Sequence, residues 1–266
     1  MCFRGSRIMA IITGTGFKSP AVTQTHCANF DGSNDYIQIT DNASGRSFFN
    51  SNENGTMSIW TKPETAETAV MFSIDDDDGW HHNKYIYTDS TGIGARVIGG
   101  GQICSMKYTA PYTGAWHHIV LTWHHSLSGT AGSGTSRAYL YIDGFLRCDS
   151  GNVSLTTISN DSDNGNIGKY HIHDDSGSGI GTGDHYYDGL ICEVSTWNTY
   201  FTEGAVESVY NRGVPIDLTS NTRDYTVANK LTSWYRLQNN ANDSSGKGYN
   251  GTNNGATFQT TNLPGA

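Results

Sequence analysis

The chain has 266 residues, enough to bury one large core, and it is acidic, with 25 Asp and Glu residues against 16 Lys and Arg residues and a formal net charge of −9. Its few basic residues form no cluster, so we expect neither nucleic acid nor an anionic membrane as a partner, because both are bound mainly through Lys and Arg. No apolar run approaches the roughly 20 residues that cross a bilayer, and the N-terminal run "IMAIITG" is short for the core of a signal peptide. These features predict no membrane insertion and no signal peptide.

Glycine and cysteine usage narrows the class of protein further. The chain has 32 glycines and 5 prolines, and 15% of its residues are charged, a composition typical of short strands joined by polar turns. The cysteines are odd in number and form no Cys-x-x-Cys pair, which predicts free thiols in a reducing compartment rather than a disulfide framework or a zinc ribbon. They are Cys2, Cys27, Cys104, Cys148 and Cys192.

In chain order, the first segment is residues 1–20, which show no clear periodicity and are interpreted as an N-terminal arm. Met9 within it is an alternative start of translation. The arm carries Arg4, Arg7 and Lys18 and no acidic residue, so it is either an anchor that docks on an acidic neighbour or a disordered tail.

From residue 28 onward, runs rich in β-branched and aromatic residues alternate with turns rich in Gly, Asp and Ser. This pattern predicts about ten to fourteen strands. Because a single sheet of that many strands curls or splits, we expect two packed antiparallel sheets. The clearest strand runs are "YIQIT", "TMSIWTKP", "AVMFSI", "KYIYT", "HHIVLTW", "RAYLYIDG" and "LICEVSTWN".

One stretch, "TEGAVESVYNRG", favours a helix instead. Thr202 suits its N-cap and Gly213 suits the left-handed position at its C-terminus. Val206, Val209 and Tyr210 fall on one face of such a helix. The sequence therefore predicts one short surface helix, followed by an irregular linker up to about residue 230, a strand, a long turn and a last strand.

Six segments together resemble the laminin-G-like domains of the concanavalin A-like lectin/glucanase family. They are "ANFDGSNDYIQI", "GTMSIWTKP", "WHHIVLTW", "AYLYIDG", "YYDGLICEVSTWNTYFTEGAVESVYNRG" and "NANDSSGKGYNGTNNGATF". The resemblance implies an all-β, two-sheet antiparallel jelly-roll sandwich with one short surface helix. It divides the chain into the arm at 1–20, a jelly roll at 21–215, and a linker and C-terminal segment at 216–266 that completes or extends the jelly roll. The C-terminal place of "NDSSGKGYNGT" resembles the arrangement in laminin-G-like proteins of tailed bacteriophages.

Histidine-rich runs do not form an obvious metal site. Consecutive residues of a strand point to opposite faces, so the two histidines of each doublet, as in His117 and His118, cannot bind one ion together. The segment "HIHDD" places His171 and His173 on one face if it is extended, with two aspartates beside them, but it leads into a loop rich in glycine. We favour strand-surface histidines over a transition-metal site.

The family resemblance implies a structural calcium site, because oxygen-rich loops can supply the ligands that this ion prefers. The implied ligands are Asp243, the carbonyls near Asn250 and Gly251, and the side chains of Glu193 and Asp31. The alternative is that these residues form ordinary turns in which Asp and Asn bond their own backbone. Cys192 also stands before Glu193 where relatives often have an acidic residue, which counts against the ion.

An enzyme is the less favoured interpretation. Glycoside hydrolysis needs two carboxylates that flank the bond, and the glutamates of this chain do not pair along any strand. Sugar binding needs only aromatic faces and a few polar groups. The candidate glycan contacts are Trp80, Tyr112, Tyr170, Tyr186 and Tyr187, and the alternative is that they pack in the core.

We therefore expect a non-enzymatic virion surface protein of a tailed phage, either a capsid decoration or a tail or fibre component, with a role in glycan binding and host adhesion. Its expected partners are further copies of itself, other virion proteins and a host surface glycan, and it would assemble in the host cytoplasm. The alternative is a cell-surface or secreted carbohydrate-binding adhesin, and a glycoside hydrolase ranks third. The fold alone does not decide between these roles.

Overall fold

The computed structural model describes residues 21–40, 54–75, 83–99, 102–127, 134–155, 164–170, 184–260 and 262–264. The predicted N-terminal arm, the candidate glycan contact Trp80 and the "HIHDD" segment lie outside these residues. The one α-helix in the described ranges is far too short to span a bilayer.

The described part of the chain is mostly strand, as the composition predicts. Its sixteen strands are β1 (Cys27–Asp31), β2 (Tyr36–Thr40), β3 (Gly55–Pro63), β4 (Ala69–Asp75), β5 (Lys84–Asp89), β6 (Gly92–Gly99), β7 (Gln102–Thr109), β8 (His117–Leu127), β9 (Gly134–Ile142), β10 (Phe145–Asp149), β11 (Val153–Leu155), β12 (Asn164–Ile167), β13 (Asp188–Trp197), β14 (Leu231–Tyr235), β15 (Thr252–Asn254) and β16 (Thr257–Gln259).

These strands form two antiparallel sheets, which confirms the predicted jelly-roll sandwich. The nine-stranded sheet has the order β10-β9-β8-β3-β13-β1-β16, with β11 beside β9 and β14 beside β13. The seven-stranded sheet has the order β15-β2-β12-β4-β5-β6-β7. The main core lies between the inner faces of the two sheets.

Strand β8 shows how the sequence pattern decides which side chain enters this core. Ile119, Leu121 and Trp123 are fully buried members of the core cluster between the sheets. The alternate residues, among them His118 and His124, point to the outer face of the sheet. Consecutive histidines therefore lie on opposite faces, as predicted.

The outer face of the nine-stranded sheet is covered by a second apolar layer. Helix α1 (Glu203–Tyr210) starts at Thr202, whose side chain accepts a hydrogen bond from the Ala205 N–H. The helix ends earlier than predicted, because Asn211 with φ 44° takes the left-handed position expected for Gly213. The predicted linker, residues 214–230, is irregular up to a 3-10 helix at Ala228–Lys230. It buries apolar side chains against this face, namely Ile216, Leu218 and Tyr225.

The C-terminal segment contributes strands to both sheets. Strand β14 pairs with β13, β15 pairs with β2, and β16 pairs with β1. Three cysteines, Cys27, Cys104 and Cys192, are free and buried, as expected. Cys148 corrects the expectation of free thiols throughout, because it is disulfide-bonded.

Candidate functional site

The outer face of the seven-stranded sheet carries a transverse row of polar and aromatic residues. The register places Asn166 between Gln38 and Ser73, then Ser73 beside Tyr85 and Tyr85 beside Arg96. Side chains directly opposite one another on neighbouring antiparallel strands share a face. The row therefore brings an amide, a hydroxyl, a phenol and a guanidinium together on the face that points away from the core.

Arg96 is held in this row by the rings beside it. Its guanidinium carbon lies 5.9 Å and 5.7 Å from the ring centroids of Tyr85 and Tyr87, and its Nη1 donates to the Tyr85 hydroxyl at 3.1 Å. The Tyr87 ring lies against the backbone of Gly94, where a Cβ would be 2.2 Å from the ring. Only glycine leaves room for this contact, so the position of the Tyr87 ring on this face depends on Gly94.

A second group lies where strand β2 begins and borders solvent. We call it the tyrosine–lysine cluster, and it consists of Tyr36, Lys169, Asp184 and Tyr186. The Lys169 Nζ lies 4.3 Å from the ring centroid of Tyr36 and 5.6 Å from that of Tyr186, and the two ring centroids are 6.4 Å apart. The ammonium thus fixes both rings through cation–π contacts.

Hydrogen-bonding groups surround these rings. The Tyr186 hydroxyl donates to Asp184 Oδ2 at 3.2 Å, and Lys169 Nζ lies 3.8 Å from Asp184 Oδ1. Burial and the neighbouring Asp184 carboxylate raise the pKa of Tyr186, so its hydroxyl stays protonated. The cluster therefore combines aromatic surface with an ammonium, a carboxylate and a phenol, which are the groups that contact the C–H and O–H groups of a sugar.

Three of the candidate glycan contacts are buried in the structure. Tyr112, Tyr170 and Tyr187 are core residues, with their rings covered and their hydroxyls used internally. The Tyr112 hydroxyl donates to the Asp89 carbonyl at 2.6 Å, and the Tyr170 hydroxyl accepts from Asn83 Nδ2 at 2.8 Å. Of the five predicted contacts, Tyr186 lies in the tyrosine–lysine cluster and Trp80 lies outside the described residues.

Asp243, the central residue of the implied calcium site, organises a turn with its own side chain. Its Oδ1 accepts from the backbone N–H groups of Trp234 and Ser245 at 3.0 and 2.9 Å. Its Oδ2 accepts from the Ser245 hydroxyl at 2.8 Å and from the N–H groups of Gly248 and Tyr249 at 3.0 and 3.2 Å. Both oxygens accept from protein donors, so the carboxylate organises the turn through its own hydrogen bonds.

Of the other implied ligands, Asn250 contacts Asp243, and Gly251 and Asp31 make hydrogen bonds within their own turns. Asn250 Oδ1 accepts from the Asp243 N–H at 2.9 Å, and its neighbour Gly251 donates its N–H to the Ala241 carbonyl. Asp31 Oδ1 accepts from the N–H groups of Ser33 and Asn34 in the turn after β1. Within the described residues, no three His, Cys, Asp or Glu side chains group to hold a metal. This donor set does not fit an ion that takes six to eight oxygen ligands.

Glu193 is the remaining implied ligand, and it is a core residue. Its side chain is 3% exposed, and its carboxylate accepts from Trp234 Nε1 at 2.6 Å and from Arg236 Nε at 3.1 Å. It sits at an irregularity of β13, where the register with β3 shifts between Cys192 and Ser195, and its φ is 51°. A left-handed backbone at a non-glycine residue persists only where the surroundings fix it.

Sequence reasoning missed Tyr36 and Lys169 as site residues. The alternation in "YIQIT" does place Tyr36 and Gln38 on the face opposite Ile37 and Ile39, which are core residues. No local pattern connects Tyr36 with Lys169, because strand β12 brings them together across more than 130 residues of chain.

Comparison with known proteins agrees with this architecture. A laminin G-type model described as "Concanavalin A-like lectin/glucanases superfamily" matches residues 31–207. A candidate carbohydrate-binding protein from Bacteroides ovatus has a TM-score of 0.59 at 20% identity over 91% of this chain, which spans 62% of that protein. The heptameric SAP-like pentraxin of Limulus polyphemus has a TM-score of 0.50 at 19% identity over 71% of this chain and 84% of its own. The search of curated proteins returned no match. Because the family model covers well over half of the chain, this protein belongs to the concanavalin A-like lectin/glucanases superfamily.

Proposed function

We propose that the chain is a non-catalytic carbohydrate-binding module that holds a glycan at the tyrosine–lysine cluster. The observation that carries the proposal is the half-buried Tyr36 and Tyr186 pair, fixed by Lys169 on the outer face of the seven-stranded sheet. Membership of a lectin and glucanase superfamily supports the proposal, and so does the fold shared with a candidate carbohydrate-binding protein from Bacteroides ovatus.

The chemistry of the cluster suits a pyranose. The apolar C–H face of a sugar packs on an aromatic ring, and its hydroxyls need donors and acceptors at the edge of that ring. Tyr36 and Tyr186 supply the rings, Lys169 donates and Asp184 accepts. Because the ammonium already holds the rings, little side-chain entropy is lost when the sugar binds.

The carboxylates support a non-catalytic role. Glycosidases need an acid and a base or nucleophile about 5–9 Å apart on either side of the bond. Glu193, the buried glutamate of β13, is committed to Trp234 and Arg236. Asp184 accepts from Tyr186 and lies beside Lys169, which leaves it suited to binding rather than to proton transfer.

Affinity electrophoresis through gels containing soluble polysaccharides, both neutral and uronic-acid-containing, tests the proposal. We expect at least one polysaccharide to retard the wild-type chain, and Tyr36→Ala to reduce that retardation. Phe145→Ala is the matched control, since Phe145 is 56% exposed on β10 of the other sheet. Retardation that is unchanged in Tyr36→Ala would exclude this site, and release of reducing sugar above background would exclude a non-catalytic role.

We further propose a virion surface as the setting in which the module acts, with host glycan as its ligand. The place of residues 242–252 in the chain supports a phage protein, and the free Cys27, Cys104 and Cys192 support assembly in a reducing cytoplasm. The disulfide at Cys148 counts against that compartment. A secreted or cell-surface adhesin is the competing setting. Gold-labelled antibody against this chain, imaged on particles from the source, decides between them: label on particles supports a virion protein, and label confined to cell surfaces contradicts it.

A further inference from the structure

The outer face of the nine-stranded sheet carries a separate group of rings at its solvent-facing edge. We call it the Tyr200 platform, and it consists of His124, Tyr139 and Tyr200. The His124 ring centroid lies 5.6 Å from that of Tyr200 and 6.1 Å from that of Tyr139. Tyr200 is 46% exposed, so a large part of its ring faces solvent.

The backbone on either side of Tyr200 is tied to the sheet. The Thr56 hydroxyl donates to the Thr199 carbonyl at 2.8 Å, and the Phe201 N–H donates to the Thr122 hydroxyl at 2.8 Å. Phe201 itself is buried, with its ring centroid 4.6 Å from that of Trp197. Tyr200 is thus the outward residue between two anchored neighbours, and its ring is held in place before any ligand arrives.

A charge-matched pair borders the platform. Arg137 Nε donates to Asp149 Oδ1 at 2.8 Å, and a second, parallel contact joins its Nη2 to Asp149 Oδ2. The guanidinium carbon lies 5.4 Å from the Tyr139 ring centroid, and the Arg137 side chain remains 39% exposed. A bidentate pair offers donors and acceptors at its rim without a net charge.

We infer that the Tyr200 platform is a second carbohydrate-binding surface, which takes a neutral sugar ring. The exposed tyrosine supplies the stacking face, and His124 with the Arg137–Asp149 pair supplies hydrogen bonds to hydroxyls. Burial, and then the Arg137 charge, lower the pKa of His124, so no free cation remains at the platform near pH 7 to select an acidic sugar.

This inference rests on the proposed function for its ligand class, but its residues are independent of the tyrosine–lysine cluster. The two sheets pack face to face, so their outer faces point in opposite directions. One chain therefore presents two sugar surfaces that cannot serve the same sugar residue. Such an arrangement lets one module bridge two polysaccharide strands, or bind a surface with higher avidity when copies assemble.

The test uses affinity electrophoresis of the full chain in gels of neutral polysaccharides, namely dextran, galactomannan, xyloglucan and mixed-linkage β-glucan. Five proteins are compared: wild type, Tyr200→Ala, Tyr36→Ala, the double variant, and Phe145→Ala as the control for loss of an exposed ring. We expect Tyr200→Ala to raise the dissociation constant about tenfold for at least one neutral polysaccharide, the loss expected for one stacked ring. The double variant should bind none of them.

The outcomes separate the two proposals. Retardation that is lost in Tyr36→Ala but unchanged in Tyr200→Ala overturns the second surface and leaves the proposed function standing. Retardation lost in Tyr200→Ala but retained in Phe145→Ala supports the platform, provided the circular dichroism melt of Tyr200→Ala matches the wild type. Absence of retardation of the wild type in every gel, neutral and acidic, overturns both.

Discussion

Protonation of Glu193 should couple the stability of this protein to pH, and Glu193→Gln should remove the coupling. The carboxylate is buried at the irregular point of β13 with Trp234 and Arg236 as its donors. Desolvation raises the pKa of Glu193 to about 7, and the nearby Arg236 charge and the hydrogen bonds oppose but do not cancel this rise.

The sign and size of the effect follow from linkage. Below about pH 4.5, the ordinary value for a glutamate, the group is protonated in the folded and unfolded states, and its contribution to stability is fully present. As pH rises toward 7 the unfolded chain loses this proton first, so the free energy of unfolding falls. The difference between 4.5 and about 7, at about 1.4 kcal/mol per pKa unit, corresponds to about 3 kcal/mol lost over that range.

Urea denaturation of wild type and Glu193→Gln between pH 4 and 8 measures this directly. We expect the free energy of unfolding of wild type, minus that of the variant, to fall by about 3 kcal/mol across the range and to level off above pH 7. His118, whose pKa burial lowers to about 4, titrates in both proteins and cancels from the difference. The control Glu203→Gln, at an exposed position of α1, should keep the wild-type slope. A wild-type minus variant difference that does not change with pH would refute a desolvated carboxylate at this position.

Two further predictions concern the C-terminal segment. Truncation after Gly213 removes β14, β15, β16 and part of the second apolar layer. We therefore expect the truncated chain to lose the cooperative thermal transition seen by circular dichroism. A truncated chain that melts like the intact one would show that this segment is an independent appendage. Asp243→Ala leaves five donors without their acceptor and should lower the free energy of unfolding by about 2–4 kcal/mol, equally with and without chelator. A chelator-induced drop in melting temperature that occurs in wild type and is absent from Asp243→Ala would instead restore the calcium site.

Much of the sandwich is predictable because successive residues of a strand point to opposite faces, so the residues that enter the main core recur with a period of two. The run "HHIVLTW" places Ile119, Leu121 and Trp123 on one face, and all three are core residues. The start of the helix is equally predictable from the sequence, since Thr202 is the N-cap and its side chain accepts from the Ala205 N–H. Its end was not, because Asn211 and Gly213 both tolerate a left-handed backbone, and the tertiary packing of α1 selects the earlier residue.

The candidate site was less predictable, because its members meet only in the folded chain. Tyr186 and Tyr187 are neighbours in sequence with equal aromatic character, but alternation sends Tyr187 into the core against Thr61 and leaves Tyr186 beside Lys169. The role of Asp243 depended on how many local N–H groups converge on it, which a loop sequence does not fix. The sequence likewise does not show that Glu193 is buried with two hydrogen-bond donors, since both donors come from residues about 40 positions later in the chain.

The place of β16 beside β1 has a consequence for how the protein is made. Their contact joins Cys27 and Gln259, which are 232 residues apart in sequence, and β1 needs β16 as its outer neighbour. Pairings of such long range form late and slow the folding of all-β proteins. During synthesis, β1 has neither of its strand neighbours until β13 is made, and it keeps one unpaired edge until β16 has left the ribosome. Expression conditions that slow aggregation of nascent chains should therefore raise the yield of folded protein more than conditions that stabilise the finished sandwich.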